Sequence, residues 1–349
     1  MFRFSCSVAA VALVLPACLV ASGELDVDEA ASASTREARS KAVERDEALD
    51  AVCAEAAGPS RREQVCHRWH CEGRAARARA RWSGDPARCV AGDVDEEAGA
   101  RALVLVNLHR FLADVPPVAA EEAWTRAAQE CALVAHANRA LSHTPTPDWR
   151  CWSETAAIAS SVGLLANRSA PPAIGAFFED PGNETTMVHR RWLLSEALTR
   201  LSVGTTDRYS CVVVAGLGLG EEEEPGRAGS SATPAGGAEH DGVDAAPRGW
   251  AAWPPPGPVP IDVFTAERLD EAGWTVQSED DDLDRATASV TLSGRPLAVR
   301  VTHLAPLHGS RSAIRIVPDG WTTEAGRVYD VRVDGPREIA FAIEPIDCP

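Results

Sequence analysis

The sequence predicts an α+β domain followed by a smaller all-β domain, on three observations. Residues 96–195 carry apolar positions at helical spacing, and residues 201–215 read as two strands around a two-residue turn. Beyond Trp250 the chain turns to short segments that alternate with strand period. Between these parts, Glu221 to Glu224 followed by Gly, Ser, Pro and Ala offers too little apolar surface to fold, so residues 221–249 read as a linker. The expected organisation is an export signal over 1–17, a lipidated cysteine and tether over 18–50, a cysteine-rich segment over 51–92, an α+β domain over 93–220, the linker, and a β-sandwich over 250–349.

Taken in order, Arg3 precedes an apolar run from Ser7 to Leu15 that is shorter than the ~20 residues of a membrane-spanning helix. Leu15-Pro16-Ala17-Cys18 resembles a bacterial lipobox, which implies cleavage after Ala17 and lipid on Cys18. Each buried lipid methylene contributes about 0.8 kcal/mol, so several chains on one cysteine make a firm anchor. The expected location is the bacterial cell envelope, lipid-anchored at the outer membrane or cell surface; an ordinary signal peptide and a secreted protein are the alternative. Ser34-Thr35-Arg36-Glu37 has capping-box spacing, but the polar helix it would start has little to dock against.

Glu96 to Asp114 reads as a helix stopped by Pro116-Pro117. Trp124, Ala127, Ala128, Cys131 and Ala135 form one buried stripe on a second helix running to about Ala140. Ser153 is a good N-cap for a helix through Leu165, and shorter helices cover Pro172 to Phe178 and Thr186 to Ser195. Leu201 to Thr206 and Tyr209 to Ala215 read as paired strands around Asp207-Arg208. In the C-terminal part, Ala288 to Leu292 and Leu297 to Val301 flank a turn at Ser293-Gly294, with further strands at 312–317, 328–333 and 339–343.

The 34 Lys and Arg against 51 Asp and Glu give a net charge of −17, which argues against affinity for nucleic acid or anionic lipid surfaces. Most of that charge sits in three segments: nine acidic against four basic over 19–50, seven against two over 221–249, and five against one over 276–285. The acidity therefore marks where folded parts stop. Of ten cysteines, Cys6 leaves with the signal and Cys18 takes lipid, so eight remain for disulfides in an exported chain. Sequence proximity and the order of elements favour Cys131 with Cys151 across the His143 loop and Cys211 with Cys348 between the two domains, leaving Cys53, Cys66, Cys71 and Cys89 to pair among themselves. The cluster Cys66-His67-Arg68-Trp69-His70-Cys71 has zinc-binding residue types, but adjacent residues rarely converge on one tetrahedral ion.

The chain has no G-x-S-x-G elbow, H-E-x-x-H helix or P-loop. What remains is a set of imidazoles and carboxylates: His143, Glu154, Asp180 beside Glu179, and His189. Asn107-Leu108-His109-Arg110, the proline-containing turn at 112–118, Trp152-Ser153-Glu154, His189-Arg190-Arg191-Trp192-Leu193-Leu194 and Leu201-Ser202-Val203-Gly204 come in an order that resembles the CAP superfamily, the cysteine-rich secretory, antigen 5 and pathogenesis-related 1 proteins. The resemblance covers residues 100–216 and extends loosely to Trp253-Pro254-Pro255-Pro256-Gly257. It implies a CAP-like α-β-α sandwich with a C-terminal all-β, sandwich-like domain, and a cleft built from His143, Glu154, Asp180 and His189. Two departures stand out. Glu154 is followed by Thr155 where the family often has Asn, and Glu179 precedes Asp180 at the second acidic position.

Such a cleft can hold a divalent ion, with His143 and His189 as ligands for zinc and the carboxylates supporting them. It can supply acid and base groups, with Glu154 or Asp180 as the base of a metal- or imidazole-assisted hydrolase acting on a peptide or ester. It can also be a polar network that only fixes helices to a sheet, in a purely structural envelope protein. The leading expectation is an extracytoplasmic binding module for an unidentified ligand or protein, with no catalytic nucleophile. Three features carry less weight. Asp280, Asp282 and Asp284 lack the Gly and Glu of a calcium loop, Asn167-Arg168-Ser169 and Asn183-Glu184-Thr185 match glycosylation acceptors, and ten tryptophans suit packing.

Overall fold

The computed structural model describes residues 51–75, 81–93, 96–216, 248–266 and 268–348. The expected export signal, Cys18, the tether and all of the linker except Arg248 and Gly249 lie outside them. The chain divides into two units, Met1–Ala51 and Val52–Pro349, and the second holds both the helical part and the C-terminal sheets.

The helical part is α+β, as expected. Helix α1 spans Arg61–Ala75 and α2 spans Glu96–Leu112. After strand β1 (Ala119–Ala120) come α3 (Thr125–Asn138), α4 (Glu154–Val162), β2 (Gly163–Ala166), α5 (Ala173–Glu179), α6 (Val188–Leu193), β3 (Arg200–Thr205) and β4 (Ser210–Val213). The four strands form one sheet in the order β1-β3-β4-β2, antiparallel except for β1 beside β3. Because successive side chains point to opposite faces, Cys211 and Val213 enter an apolar cluster with Ala128, Cys131 and Ala159 of α3 and α4. Val212 and Val214 enter the other cluster, with Val106, Ile174 and Phe177 of α2 and α5. Helices therefore cover both faces of the sheet.

The helix capped by Ser153, whose hydroxyl accepts the Ala156 N–H at 3.0 Å, ends at Val162 and does not reach Leu165. Leu164 and Leu165 instead pair with Val212 and Cys211, because a strand buried on both faces outweighs local helix preference. Gly163 permits this switch: a Cβ there would lie 2.7 Å from the Ala159 carbonyl and 2.8 Å from the Cys211 sulfur. Gly204 plays a similar part under α3, where a Cβ would lie 1.9 Å from the Ala128 carbonyl.

The C-terminal part is two sheets packed face to face. Strands β5 (Trp250–Trp253) and β6 (Gly257–Pro260) lead through helices α7 (Asp262–Ala266) and α8 (Leu269–Ala272) to β7 (Trp274–Ser278), β8 (Thr287–Leu292), β9 (Arg295–Leu297), β10 (Val299–His303), β11 (Ser312–Pro318), β12 (Tyr329–Asp334) and β13 (Ile339–Ile346). The sheet orders are β10-β11-β7-β5 and β6-β13-β12-β8-β9. Ser293 and Gly294 both have positive φ, 51° and 74°, as a two-residue hairpin turn requires. Only Arg295–Leu297 returns along β8, however. The chain crosses at Ala298, and Val299–His303 pairs with β11 in the other sheet, which corrects the expected hairpin. Trp274, Val276, Ile314 and Ile316 meet Val290, Tyr329, Val331 and Ile343 in a core continuous with that of the helical part. At the contact between the parts, His109 stacks on Phe178 at 4.0 Å between ring centroids and lies 5.3 Å from Trp253.

All eight expected cysteines are paired, but in a different pattern. The disulfides join Cys53 to Cys71, Cys66 to Cys348, Cys89 to Cys151 and Cys131 to Cys211. Cys211 faces α3 from a central strand, so Cys131 is its neighbour, and the expected Cys131–Cys151 and Cys211–Cys348 pairs are overturned. The C-terminus runs beside α1, which takes Cys66 out of the group of four, and Cys89 leaves it for Cys151. These bonds also occupy both thiols of the Cys66–Cys71 cluster. Each such cross-link contributes roughly 2–4 kcal/mol by constraining the unfolded chain. Peptide mapping of the unreduced protein should recover these four cross-linked pairs; a Cys131–Cys151 peptide would refute the placement of α3 on β4.

Three fully buried arginines fasten the fold, Arg110 within the helical part and Arg190 and Arg191 between it and the C-terminal sheets. Arg110 donates to the carbonyls of Pro116, Leu193, Ser195 and Leu198 at 2.6–3.1 Å. Arg190 reaches the carbonyls of Phe178 and Gly273, each at 2.6 Å. Arg191 donates to the Thr186 and Ala305 carbonyls at 3.1 and 2.6 Å and to both oxygens of Ser310. Replacing Arg191 by Ala leaves several buried carbonyls unpaired, and the urea midpoint should fall by an amount worth about 3 kcal/mol or more. Arg191→Lys, which keeps the charge but not the planar fork, should fall between the two proteins.

Candidate functional site

Asp180 is the centre of the site because it ends α5 in the left-handed region, at φ 56° and ψ 46°, a conformation Asp tolerates better than most residues. Its side chain is 0% exposed, and both oxygens are engaged. Oδ2 accepts the backbone N–H groups of His189 at 3.0 Å and Arg190 at 3.4 Å. The residue preceding α6, Met187, supplies no side-chain cap, so Asp180 satisfies the start of that helix from across the loop. Oδ1 lies 2.8 Å from His189 Nδ1 and accepts the Asn183 side-chain amide at 2.8 Å.

This arrangement orients His189. A proton on Nδ1 faces Asp180, so Nε2 is left as the exchangeable position of the ring. Phe177 meets the ring edge-on at 4.8 Å, and the His189 side chain keeps 14% of its surface exposed. Beside Asp180 lies a cavity of about 170 Å³ lined by Glu179, Glu184, Arg268 and Glu271. Arg268 pairs with Glu271 and lies 3.9 Å from Glu179. The Gly182 backbone N–H holds the Glu184 carboxyl below its ordinary range.

The other two expected cleft residues stand apart. His143 is exposed, and its Nδ1 donates to the Ser160 carbonyl at 2.8 Å. Glu154 is exposed at the first position of α4, where an anion complements the helix dipole. Among the described residues, no hydrogen bond or ion pair connects either of them to Asp180 or His189. Nor does any group of three or more His, Cys, Asp or Glu among the described residues lie close enough to hold a metal ion. His143 and His189, expected as zinc ligands, are therefore not brought together with further ligands.

Asn183 is the site residue that the sequence disguised, since Asn183-Glu184-Thr185 reads as a glycosylation acceptor. Its position between Asp180 and His189, six residues apart from the latter, is the signal that could have found it. The Asn107-x-x-Arg110 motif has a structural explanation: Asn107 exchanges two hydrogen bonds with the Val118 backbone while Arg110 holds Pro116. The chain matches no protein-family model, no curated protein and no solved structure.

Asp180→Asn retains the shape but turns one oxygen into a donor facing donors. It should lower stability by about 2 kcal/mol, measured by urea denaturation, while His143→Ala should change it by less than about 1 kcal/mol.

Proposed function

We propose that the protein is an exported, lipid-tethered envelope component with a CAP-like domain, and that it works as a binding module. The observation that carries this reading is the state of Asp180. A carboxylate that is buried and already accepts four donors is unavailable as a general base toward water. Four disulfides support an oxidising compartment, in keeping with the signal-like N-terminus and the lipobox resemblance at Cys18. Among the described residues no helix is long and apolar enough to cross a membrane.

A hydrolase is the second reading, and one observation favours it. Asp180 holds His189 by Nδ1, the orientation in which an imidazole can take a proton from water or a hydroxyl through Nε2. The two readings separate in one assay. Turnover of p-nitrophenyl acetate and of a fluorogenic casein should be the same for the full chain and for His189→Ala. Activity lost in His189→Ala and reduced in Asp180→Asn would replace the binding reading by the hydrolase. Metabolic labelling with an alkyne fatty acid should mark the protein and fail in Cys18→Ala.

A further inference from the structure

A polar cleft with a volume of about 600 Å³ lies at the opposite end of α5 from Asp180. That volume falls within the ~300–1,000 Å³ usual for small-molecule sites. One wall is the segment after β2, with Asn167, Arg168, Ser169 and Pro172; the other is the β3–β4 turn, with Asp207, Arg208 and Tyr209.

Both walls are built rigidly from beneath. The Thr205 hydroxyl accepts the Ala170 N–H at 2.9 Å and so joins one wall to the other. The Thr206 hydroxyl accepts the N–H groups of Arg208 and Tyr209 at 3.2 and 2.9 Å, which fixes the turn. Gln129 of α3, buried, exchanges two hydrogen bonds with the Thr205 backbone at 2.8 and 2.9 Å. A binding surface held this way loses little freedom when a ligand arrives.

Exposed arginines fall into paired and open ones, and among the described residues Arg62, Arg139, Arg285 and Arg295 are open like the two at the mouth of this cleft. Arg88, Arg200 and Arg332 each meet a carboxylate. Arg168 and Arg208 are both exposed, and among the described residues their side chains make no hydrogen bond or ion pair. Asp207, the one carboxylate in the cleft wall, lies 3.4 Å from His136 Nδ1 and is not paired with either guanidinium. What sets Arg168 and Arg208 apart is that both line one cleft, where two open guanidiniums offer their forks to a single anion. Around them, Asn167 and Asp207 offer a donor and acceptors for hydroxyl groups, and Tyr209 and Pro172 offer flat apolar surface. A guanidinium fork matches a carboxylate or phosphate, and the remaining groups match a polyhydroxylated ring.

We propose that this cleft binds an acidic sugar, a pyranose carrying a carboxylate or a phosphate. Arg168 and Arg208 take the anionic group, Asp207 and Asn167 the hydroxyls, and Tyr209 the ring. The site is separate from the Asp180–His189 pair, so it stands whether or not that pair turns over a substrate.

Titration calorimetry of the full chain with glucuronic acid, glucose 6-phosphate, glucose and inorganic phosphate tests it. At least one of the two acidic sugars should bind, and which one binds identifies the anionic group. Glucose and free phosphate should each bind at least tenfold more weakly. The double substitution Arg168→Gln, Arg208→Gln should weaken the acidic sugar at least tenfold, and Asp207→Asn should weaken the sugar but not free phosphate. These side chains are exposed, so the variants should retain the circular dichroism of the parent, and His189→Ala should bind as the parent does. Failure of both acidic sugars to bind, equal affinity for glucose, equal affinity for free phosphate, or unchanged affinity in the double variant would each overturn the proposal.

Discussion

The burial of three guanidinium groups on backbone carbonyls is the interaction on which the rest of the structure depends. A charge taken from water is costly unless its hydrogen-bonding capacity is filled, and here carbonyl oxygens do most of the filling. Desolvation lowers the pKa of both Arg110 and Arg191 to about 10, with Glu196 and Glu279 respectively opposing the shift, so both groups stay charged at neutral pH. A planar fork with several acceptors has few satisfactory positions. Arg110 thereby fixes the chain after α6 against α2, and Arg190 and Arg191 fix α6 itself against the C-terminal sheets.

The candidate site inherits its geometry from this junction. His189 precedes the two arginines on a helix of six residues, and Asp180 accepts the N–H groups of both His189 and Arg190. Arg190 also holds the Phe178 carbonyl, two residues before Asp180. The loop between α5 and α6 is thus tied at both ends, and the imidazole can scarcely change direction without disturbing a buried guanidinium. That rigidity suits recognition by a preformed surface. It also explains why an imidazole and a carboxylate at bonding distance need not signify chemistry: the carboxylate is already needed to begin a helix.

Much of this was legible in the sequence, and what was not follows from tertiary choices. Helices α2 and α3 and the β3–β4 pair show in their periodicity, and Asp180 and His189 were both singled out by residue type and order. Strand β2 was hidden because Gly163-Leu164-Leu165-Ala166 continues an apolar helix pattern, and only pairing with β4 decides otherwise. The crossing at Ala298 was hidden because a period of two does not say which sheet a strand joins. His143 and Glu154 were grouped with the pair by order along the chain, which carries no information about side-chain direction; the Ser160 carbonyl turns the first elsewhere. The eight cysteines do pair, but their partners differ from those expected for a related reason, since proximity and the order of elements are poor guides once a central strand selects the helix above it.

The two ends of α5 carry opposite electrostatic character. At its C-terminal end Glu179, Asp180, Glu184 and Glu271 surround a small cavity with Arg268 as the one cation in its lining. At its N-terminal end two unpaired arginines face a larger cleft holding one carboxylate. Between them Ala173, Ile174, Phe177 and Phe178 are all at most 1% exposed, so the helix is seated in the core along its length. Seven residues at 1.5 Å each separate the ends by only about 10 Å. The cavity and the cleft are therefore neighbours, each bordered by its own loop.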